Sequence, residues 1–100
     1  LQANVRRYAK NRNVLFKNLS QAGLNDIATS DGAFYLYADV SHLTNDSSKF
    51  CRRMLNEIYV AATPGTDFDP FVGHCHVRLS FAGKYSDIRE ASTRLKKWLL

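Results

Sequence analysis

Arg78 is the residue of this sequence best suited to bind a ligand. It lies in the middle of residues 76–82, where polar and apolar residues alternate, and this alternation predicts a β-strand with Arg78 on its polar face. A guanidinium is always charged and presents a rigid fork of N–H donors that fits a carboxylate or a phosphate. Since a charge on a sheet needs a partner, two interpretations are open: an internal ion pair, for example with Asp39, or an anionic ligand.

The segment His74-Cys75-His76 is a weaker candidate for chemistry. Two imidazoles on one strand face could bind zinc, but no further ligand stands at metal-binding spacing, so we predict no metal site. Cys75 or Ser80 could act as a nucleophile beside a histidine, yet neither a nucleophile elbow nor an orienting third residue is evident. The five glycines are isolated from one another and form no phosphate-binding loop. The residues alone therefore indicate neither a nucleophilic site nor a phosphate-binding loop.

The net charge of +5, from 14 Lys and Arg against 9 Asp and Glu, could indicate a nucleic-acid partner. The basic residues are nevertheless spread over predicted helices as pairs, which favours a solvated helical surface and no nucleic acid. No apolar run approaches the roughly 20 residues of a membrane-spanning helix, so no membrane partner is expected. The pairs are Arg6-Arg7, Arg52-Arg53 and Lys96-Lys97.

The two cysteines and the first residues bear on the origin of the chain. Cys51 and Cys75 lack CxxC spacing, and the sequence has no secretory signal, which favours free, buried thiols in a reducing compartment, the cytoplasm. The sequence starts at Leu1 without an initiator Met and with a helix already under way. We therefore expect a piece of a longer protein.

Three segments have the spacing of amphipathic helices. Gly23 is predicted to end the first, Asp46 or Ser47 to cap the second, and Ser86 to cap the third. Their predicted apolar faces are Val5, Tyr8, Leu15, Leu19 and Ala22; Phe50, Cys51, Met54, Leu55 and Ile58; and Ile88, Ala91, Leu95, Trp98 and Leu99.

Strands are predicted over residues 33–40, 60–63 and 76–82, with a connector over residues 25–32. Pro64-Gly65 suits a type II turn, in which Gly65 would have a positive φ. The order helix, strand, helix, strand, strand, helix predicts an α+β fold. We expect a two-layer sandwich: a small, mostly antiparallel sheet with the helices packed on one face.

Several motifs, specific in combination, resemble the C-terminal small domain of class I/II aminotransferases, the fold-type I enzymes that use pyridoxal 5′-phosphate (PLP). The resemblance runs from about Tyr8 to Trp98 and implies that residues 1–100 are this domain, without the large PLP-binding domain. The motifs are Gly32-Ala33-Phe34-Tyr35, the segment VAATPGTDFD at residues 60–69, Gly73-His74, VRLSFA at residues 77–82, and Asp87-Ile88.

The resemblance assigns roles to three residues. Arg78 matches the arginine that binds the substrate α-carboxylate, and Gly32 and Phe34 match residues that approach the substrate pocket. The parent enzyme would transfer an amino group between an amino acid and a 2-oxo acid, with PLP as cofactor, and would be a homodimer. The stretch DPFVGHCH at residues 69–76 departs from the family pattern, which leaves the substrate side chain open.

Parts of the family's machinery have no match in this sequence. The Schiff-base lysine, the Asp that pairs with the pyridine nitrogen and the phosphate-binding residues belong to the large domain. The resemblance therefore implies no catalytic and no cofactor-binding residue in this chain, and we expect the isolated chain neither to hold PLP productively nor to catalyse transamination. Two alternatives are a free-standing basic α+β module that binds RNA or an acidic protein, and the small domain of a related PLP-dependent C–S lyase or decarboxylase.

Overall fold

The structure, a computed structural model, describes residues 2–29 and 33–100. Within these residues the chain forms three α-helices and four β-strands, joined by short connections that include two 3₁₀ turns. The elements are, in chain order, α1 (Gln2–Gln21), β1 (Ile27–Thr29), β2 (Tyr35–Asp39), α2 (Ser47–Ile58), β3 (Thr63–Pro64), β4 (His76–Ser80) and α3 (Tyr85–Leu99). The 3₁₀ turns are Gly65–Asp67 and Gly73–Cys75.

The four strands form one antiparallel sheet in the order β1-β2-β4-β3. The central strands pair over five residues, with Leu36 opposite Leu79 and Ala38 opposite Val77. These apolar residues are buried, and they form one core with residues from all three helices. The helices therefore lie on one face of the sheet, and the predicted α+β two-layer fold is confirmed.

The core is built by the helix stripes that the sequence predicted, with two exceptions. Leu15 and Leu19 of α1, Met54 of α2 and Leu95 of α3 are buried against the sheet. Val5 and Leu55 were predicted on apolar faces and are exposed. Val5 lies in the first part of α1, away from the buried Leu15 and Leu19, and Leu55 follows Met54 at the margin of its stripe. A helix rotates about 100° per residue, so one position moves a side chain from the core to the surface.

The predicted strands and the predicted turn need corrections. The strands predicted over residues 33–40 and 76–82 are shorter, Tyr35–Asp39 and His76–Ser80. The connector predicted over residues 25–32 contains β1, a three-residue edge strand too short and too exposed to show alternation. The strand predicted over residues 60–63 is limited to Thr63–Pro64, because only these two residues pair with β4. Pro64-Gly65 does not form a type II turn: Gly65 begins a 3₁₀ turn and has no positive φ.

The predicted helix ends are correct for two helices and wrong for one. Gly23 has a φ of +99° just after α1, and the Asp46 carboxylate accepts the Lys49 N–H at 3.1 Å at the start of α2. The cap of α3 is Lys84, not Ser86, and it makes no side-chain hydrogen bond. Among the described residues no helix has the length and apolarity needed to cross a membrane.

Replacing Leu36 by Ala is expected to lower the free energy of unfolding by about 2–5 kcal/mol, because the side chain is fully buried at the centre of the sheet and its loss leaves a cavity. The matched control is Leu55→Ala, at a side chain that is 51% exposed, with an expected loss of about 1 kcal/mol or less. Urea denaturation of the two variants measures both values. Equal losses would contradict this location of the core.

Candidate functional site

The side of the sheet opposite the helices, here called the polar face, carries the groups suited to bind a ligand. Along β2 and β4 every second residue points to this face, because side chains alternate in a strand. Tyr37 lies directly opposite Arg78 in the antiparallel register, and Asp39 lies opposite His76. The polar face consists of Tyr35, Tyr37 and Asp39 from β2, and His76, Arg78 and Ser80 from β4.

Arg78 is flanked by aromatic rings on the polar face. Its guanidinium carbon lies 5.0 Å from the ring centroid of Tyr35 and 5.2 Å from that of Phe68, both within the range of a cation–π interaction. Its side chain is half-buried. Among the described residues no carboxylate forms a salt bridge with Arg78. Among the residues that the structure describes, the charge is thus held by aromatic faces rather than by an acid.

The internal ion pair between Arg78 and Asp39 is not formed. Asp39 lies opposite His76, two residues along the strand, and its carboxylate accepts the Ser41 N–H at 2.8 Å. Hydrogen bonding to Ser41 lowers the pKa of Asp39 below its ordinary value. The sequence left open an internal ion pair or an anionic ligand for Arg78. The structure excludes the ion pair with Asp39.

The segment 65–73, here called the site loop, lies beside the polar face and is tied to it through Tyr37. The Tyr37 hydroxyl donates a hydrogen bond to Asp69 Oδ2 at 3.0 Å, and the rings of Tyr37 and Phe68 lie 5.2 Å apart. Asp69 Oδ1 in turn accepts the N–H groups of Phe71 and Val72 at 3.0 and 3.3 Å. Asp69 therefore links the backbone of the site loop to β2.

The Tyr37–Asp69 bond changes the acidity of both groups. Burial, followed by the hydrogen bond to Asp69, raises the pKa of Tyr37 to about 12. Hydrogen bonds from the N–H groups of Phe71 and Val72 are the main reason that the pKa of Asp69 is lowered, and the bond from Tyr37 lowers it further. At neutral pH the tyrosine is therefore the donor and the carboxylate is the ionised acceptor.

Two glycines close the base of the site loop. A Cβ atom on Gly65 would lie 2.7 Å from Gly73 Cα and from the Tyr37 hydroxyl, and one on Gly73 would lie 2.4 Å from the Gly65 carbonyl carbon. The buried Ser47 hydroxyl donates to the Gly73 carbonyl at 2.7 Å and fixes this point to the start of α2. Glycine is needed here for close backbone approach and not for a positive φ.

The histidines are not arranged as a metal site. His74 lies in the 3₁₀ turn Gly73–Cys75 and is exposed, whereas His76 stacks on Tyr37 with ring centroids 4.7 Å apart. His76 Nδ1 lies 2.8 Å from the Val72 carbonyl, to which its N–H donates. Across residues 2–29 and 33–100, no group of three metal-binding side chains is brought together.

Both cysteines are free thiols, as predicted. Cys51 is buried in the core, and burial raises its pKa to about 11. Cys75 is only half-buried, which corrects the prediction that both are buried; it lies in the 3₁₀ turn that precedes β4 and not on a helix face in the core. Burial and, next, the charge of Asp39 raise the pKa of Cys75. Since the thiolate is the nucleophile, neither cysteine is activated.

The structure does not bring all predicted substrate-binding residues together. Phe34 precedes β2 on the helix side of the sheet, where its ring lies 4.7 Å from that of Tyr8 and 6.4 Å from that of Phe81. Gly32 is outside the described residues. Arg78 has other neighbours, Tyr35 and Phe68.

Sequence reasoning missed the aromatic contacts of Arg78. The alternation in residues 33–40 places Tyr35 and Tyr37 on one face of the strand, but it does not show which side chains of other elements they contact. Phe68 lies in an irregular segment without any periodicity, so no pattern could place it. The only sequence signal that could have pointed to Phe68 is the resemblance of the DFD run at residues 67–69 to a family motif.

The basic side chains that could have formed a nucleic-acid surface lie on the helical layer. Arg53 and Arg94 form ion pairs with Glu57 and Glu90, one helical turn away on the same helices. An open groove of about 490 Å³ runs along the exposed side of α3, on the far side of the sheet from Arg78. This groove and the polar face are therefore separate surfaces.

Comparison with known proteins gives the class of this α+β domain. The family model for aminotransferase class I and II matches residues 1–95. The chain therefore belongs to the aminotransferase class I and II family.

Individual relatives agree with this family. The chain is 48% identical over 96 residues to a valine–pyruvate aminotransferase of Mycobacterium tuberculosis, covering 96% of this chain and 25% of that protein. It is 33% identical over 94 residues to an aromatic-amino-acid aminotransferase of Thermococcus litoralis, covering 94% of this chain and 24% of that protein. The crystal structure of an aminotransferase from M. tuberculosis has a TM-score of 0.91 and 47% identity, covering 98% of this chain and 25% of that one. The chain thus spans about a quarter of the length of these relatives.

The Tyr37–Asp69 bond predicts one tyrosine that titrates late. In a ¹³Cζ NMR titration of the tyrosines, Tyr37 is expected to keep its proton until about pH 12. Because the folded pKa is raised above the ordinary value of 10.0, the stabilisation from this group is complete below pH 10.0 and is lost as the pH rises towards 12.

Substitutions test the assignment of this titration. Tyr37→Phe should remove the late resonance, and Asp69→Asn should shift it to lower pH, because the acceptor loses its charge. The control Tyr59→Phe, at an exposed ring after α2, should leave the late resonance in place. A late resonance that persists in Tyr37→Phe would show that the assignment is wrong.

Proposed function

We propose that this chain is the C-terminal small domain of a PLP-dependent aminotransferase and that Arg78 binds the α-carboxylate of the amino-acid or 2-oxo-acid substrate. The observation that carries the proposal is the position of the guanidinium, which lies on the polar face between β2 and the site loop without a salt bridge to any described carboxylate. Family membership and the names of the relatives, which are aminotransferases, support the reaction class.

The geometry suits this role for a physical reason. A guanidinium can donate two parallel hydrogen bonds to a carboxylate, which sets the orientation of the substrate as well as its position. Arg78 projects from a central strand that pairs on both sides, with β2 and with β3, so its Cα position is rigid. The neighbouring rings exclude water from part of the guanidinium, which strengthens the attraction to a carboxylate. Arg78 can therefore hold the acid end of a substrate at a fixed distance from a reacting group elsewhere in the parent.

The PLP cofactor is proposed to be held by the part of the parent outside this chain. PLP supplies the electron sink for amino-group transfer when bound. A lysine amine must reach it, and the lysines of this chain do not lie on the polar face. They are on the helices or, for Lys84, at the cap of α3; they are Lys10, Lys17, Lys49, Lys84, Lys96 and Lys97. These residues do not fit a PLP site, so the isolated chain is expected to be inactive.

Further features of the parent follow from the family resemblance. We propose that it is a homodimer and that Gly32 and Phe34 approach the substrate pocket. Its location in the cytoplasm is proposed from the free thiols of Cys51 and Cys75. Phe34 lies just before β2, on the opposite side of the sheet from Arg78, and it is exposed, so its ring is accessible to another part of the parent.

Replacing Arg78 by Ala in the full-length parent enzyme is expected to lower kcat/KM for amino-acid substrates by about 100-fold or more, because a charge-assisted hydrogen-bonded pair is lost. Arg78→Lys should recover only part of this loss, since an ammonium cannot donate in the bidentate geometry. The control is Arg89→Ala, at an exposed arginine on α3. Steady-state kinetics with saturating 2-oxo acid measure the effect. Unchanged kinetics in Arg78→Ala would refute the role of this residue.

The reaction class is tested by product analysis of the parent enzyme. A transaminase should consume one 2-oxo acid for each amino acid converted and release no free ammonia. A C–S lyase would release pyruvate and ammonia without an acceptor. Ammonia formation in the absence of a 2-oxo acid, at a rate comparable with amino transfer, would favour the lyase.

A further inference from the structure

The contacts of Arg78 form a connected series of side chains on the polar face. The guanidinium lies against Phe68, Phe68 lies against Tyr37, and the Tyr37 hydroxyl bonds to Asp69, the residue after Phe68. Tyr35, from the same strand as Tyr37, supplies the second ring beside the guanidinium. Every link is a contact between β2, β4 and the site loop.

Phe68 needs an external constraint to stay beside Arg78. Its side chain is 45% exposed and therefore does not gain its position from core packing. Two backbone bonds to the Gly65 carbonyl, from Phe68 at 3.1 Å and from Asp69 at 2.8 Å, shape the turn but do not tie it to the sheet. The Tyr37–Asp69 bond makes that tie, at a point one residue from the ring.

A flexible arginine loses rotamer freedom when it binds a ligand, and this loss weakens binding. Aromatic faces that hold the guanidinium before the ligand arrives reduce that loss, and they do so without offering a competing carboxylate. An internal acid would also order Arg78, but it would have to be displaced by the substrate. The aromatic contacts therefore order the Arg78 guanidinium and leave it able to bind a carboxylate.

We propose that Phe68 and Tyr35 are positioning residues that order the Arg78 guanidinium for carboxylate binding, and that the Tyr37–Asp69 hydrogen bond keeps Phe68 in place. This inference rests on the proposed function of Arg78. It assigns to these side chains a role that acts through Arg78.

The test uses the full-length parent enzyme and two ligands: an amino-acid substrate and ¹³C-labelled propionate, a carboxylate without an amino group. Phe68→Leu keeps apolar volume and removes the aromatic face. We expect it to raise both the Kd of propionate, measured by NMR titration, and the KM of the amino acid by about three- to tenfold, with kcat changed less than twofold. Tyr37→Phe keeps both ring contacts and removes only the hydroxyl, and it should raise the same two constants by about two- to fivefold.

Matched variants separate positioning from general stability. Phe68→Tyr retains the ring face and should restore propionate binding to within twofold of the native enzyme. Phe71→Leu changes an aromatic residue of the same loop that is 85% exposed and has no ring contact with Arg78, and it should leave both constants unchanged. A fall in Tm without a change in Kd would show a merely structural role and would overturn the proposal.

The outcome for Arg78→Ala distinguishes the two levels of inference. If Arg78→Ala weakens propionate binding while Phe68→Leu and Tyr37→Phe leave it within twofold, the positioning roles are wrong and the proposed function stands. If Arg78→Ala leaves propionate binding unchanged, both the proposed function and the positioning roles are wrong. Weakening by all three substitutions, with recovery in Phe68→Tyr, supports both.

Discussion

The arrangement of the polar face depends on one constraint: a permanent positive charge is placed on a central strand of a small sheet. A guanidinium in such a position is costly unless it is solvated, paired or held by polarisable groups. This structure surrounds Arg78 with the rings of Tyr35 and Phe68, and it directs Asp39 to the Ser41 backbone instead. Within residues 2–29 and 33–100, Arg78 is thus held by aromatic contacts and forms no salt bridge.

The site loop shows how this arrangement is built from groups far apart in sequence. Gly65 and Gly73 approach so closely that neither tolerates a Cβ atom without movement, which lets the intervening residues fold back towards β2. Ser47 anchors the base of the loop, and Asp69 links its outer part to Tyr37. A single backbone contact, a buried hydroxyl and one charged acceptor together fix a segment that contains little regular structure.

The sequence predicted the helices and strands that have strong periodicity. It failed where the local structure depends on contacts with other segments of the chain. The stripe of α3 and the alternation around Arg78 were correct, because both report burial on one side of a regular element. The edge strand β1 was missed, since three half-exposed or exposed residues carry no pattern. Gly65 was predicted to have a positive φ because it follows Pro64, but a close backbone contact explains the glycine instead.

The sequence by itself determined the α+β class, the helical faces apart from Val5 and Leu55, the strand position of Arg78 and, through its motifs, the resemblance to the aminotransferase family. These properties depend on local periodicity and on residues close together in the chain. Only the tertiary structure decided which groups surround Arg78, because Tyr35 and Phe68 reach it through the β2–β4 register and through the fold of the site loop. Which side chains contact a charged group depends on distances in the folded chain, and the spacing of residues in the sequence does not give those distances.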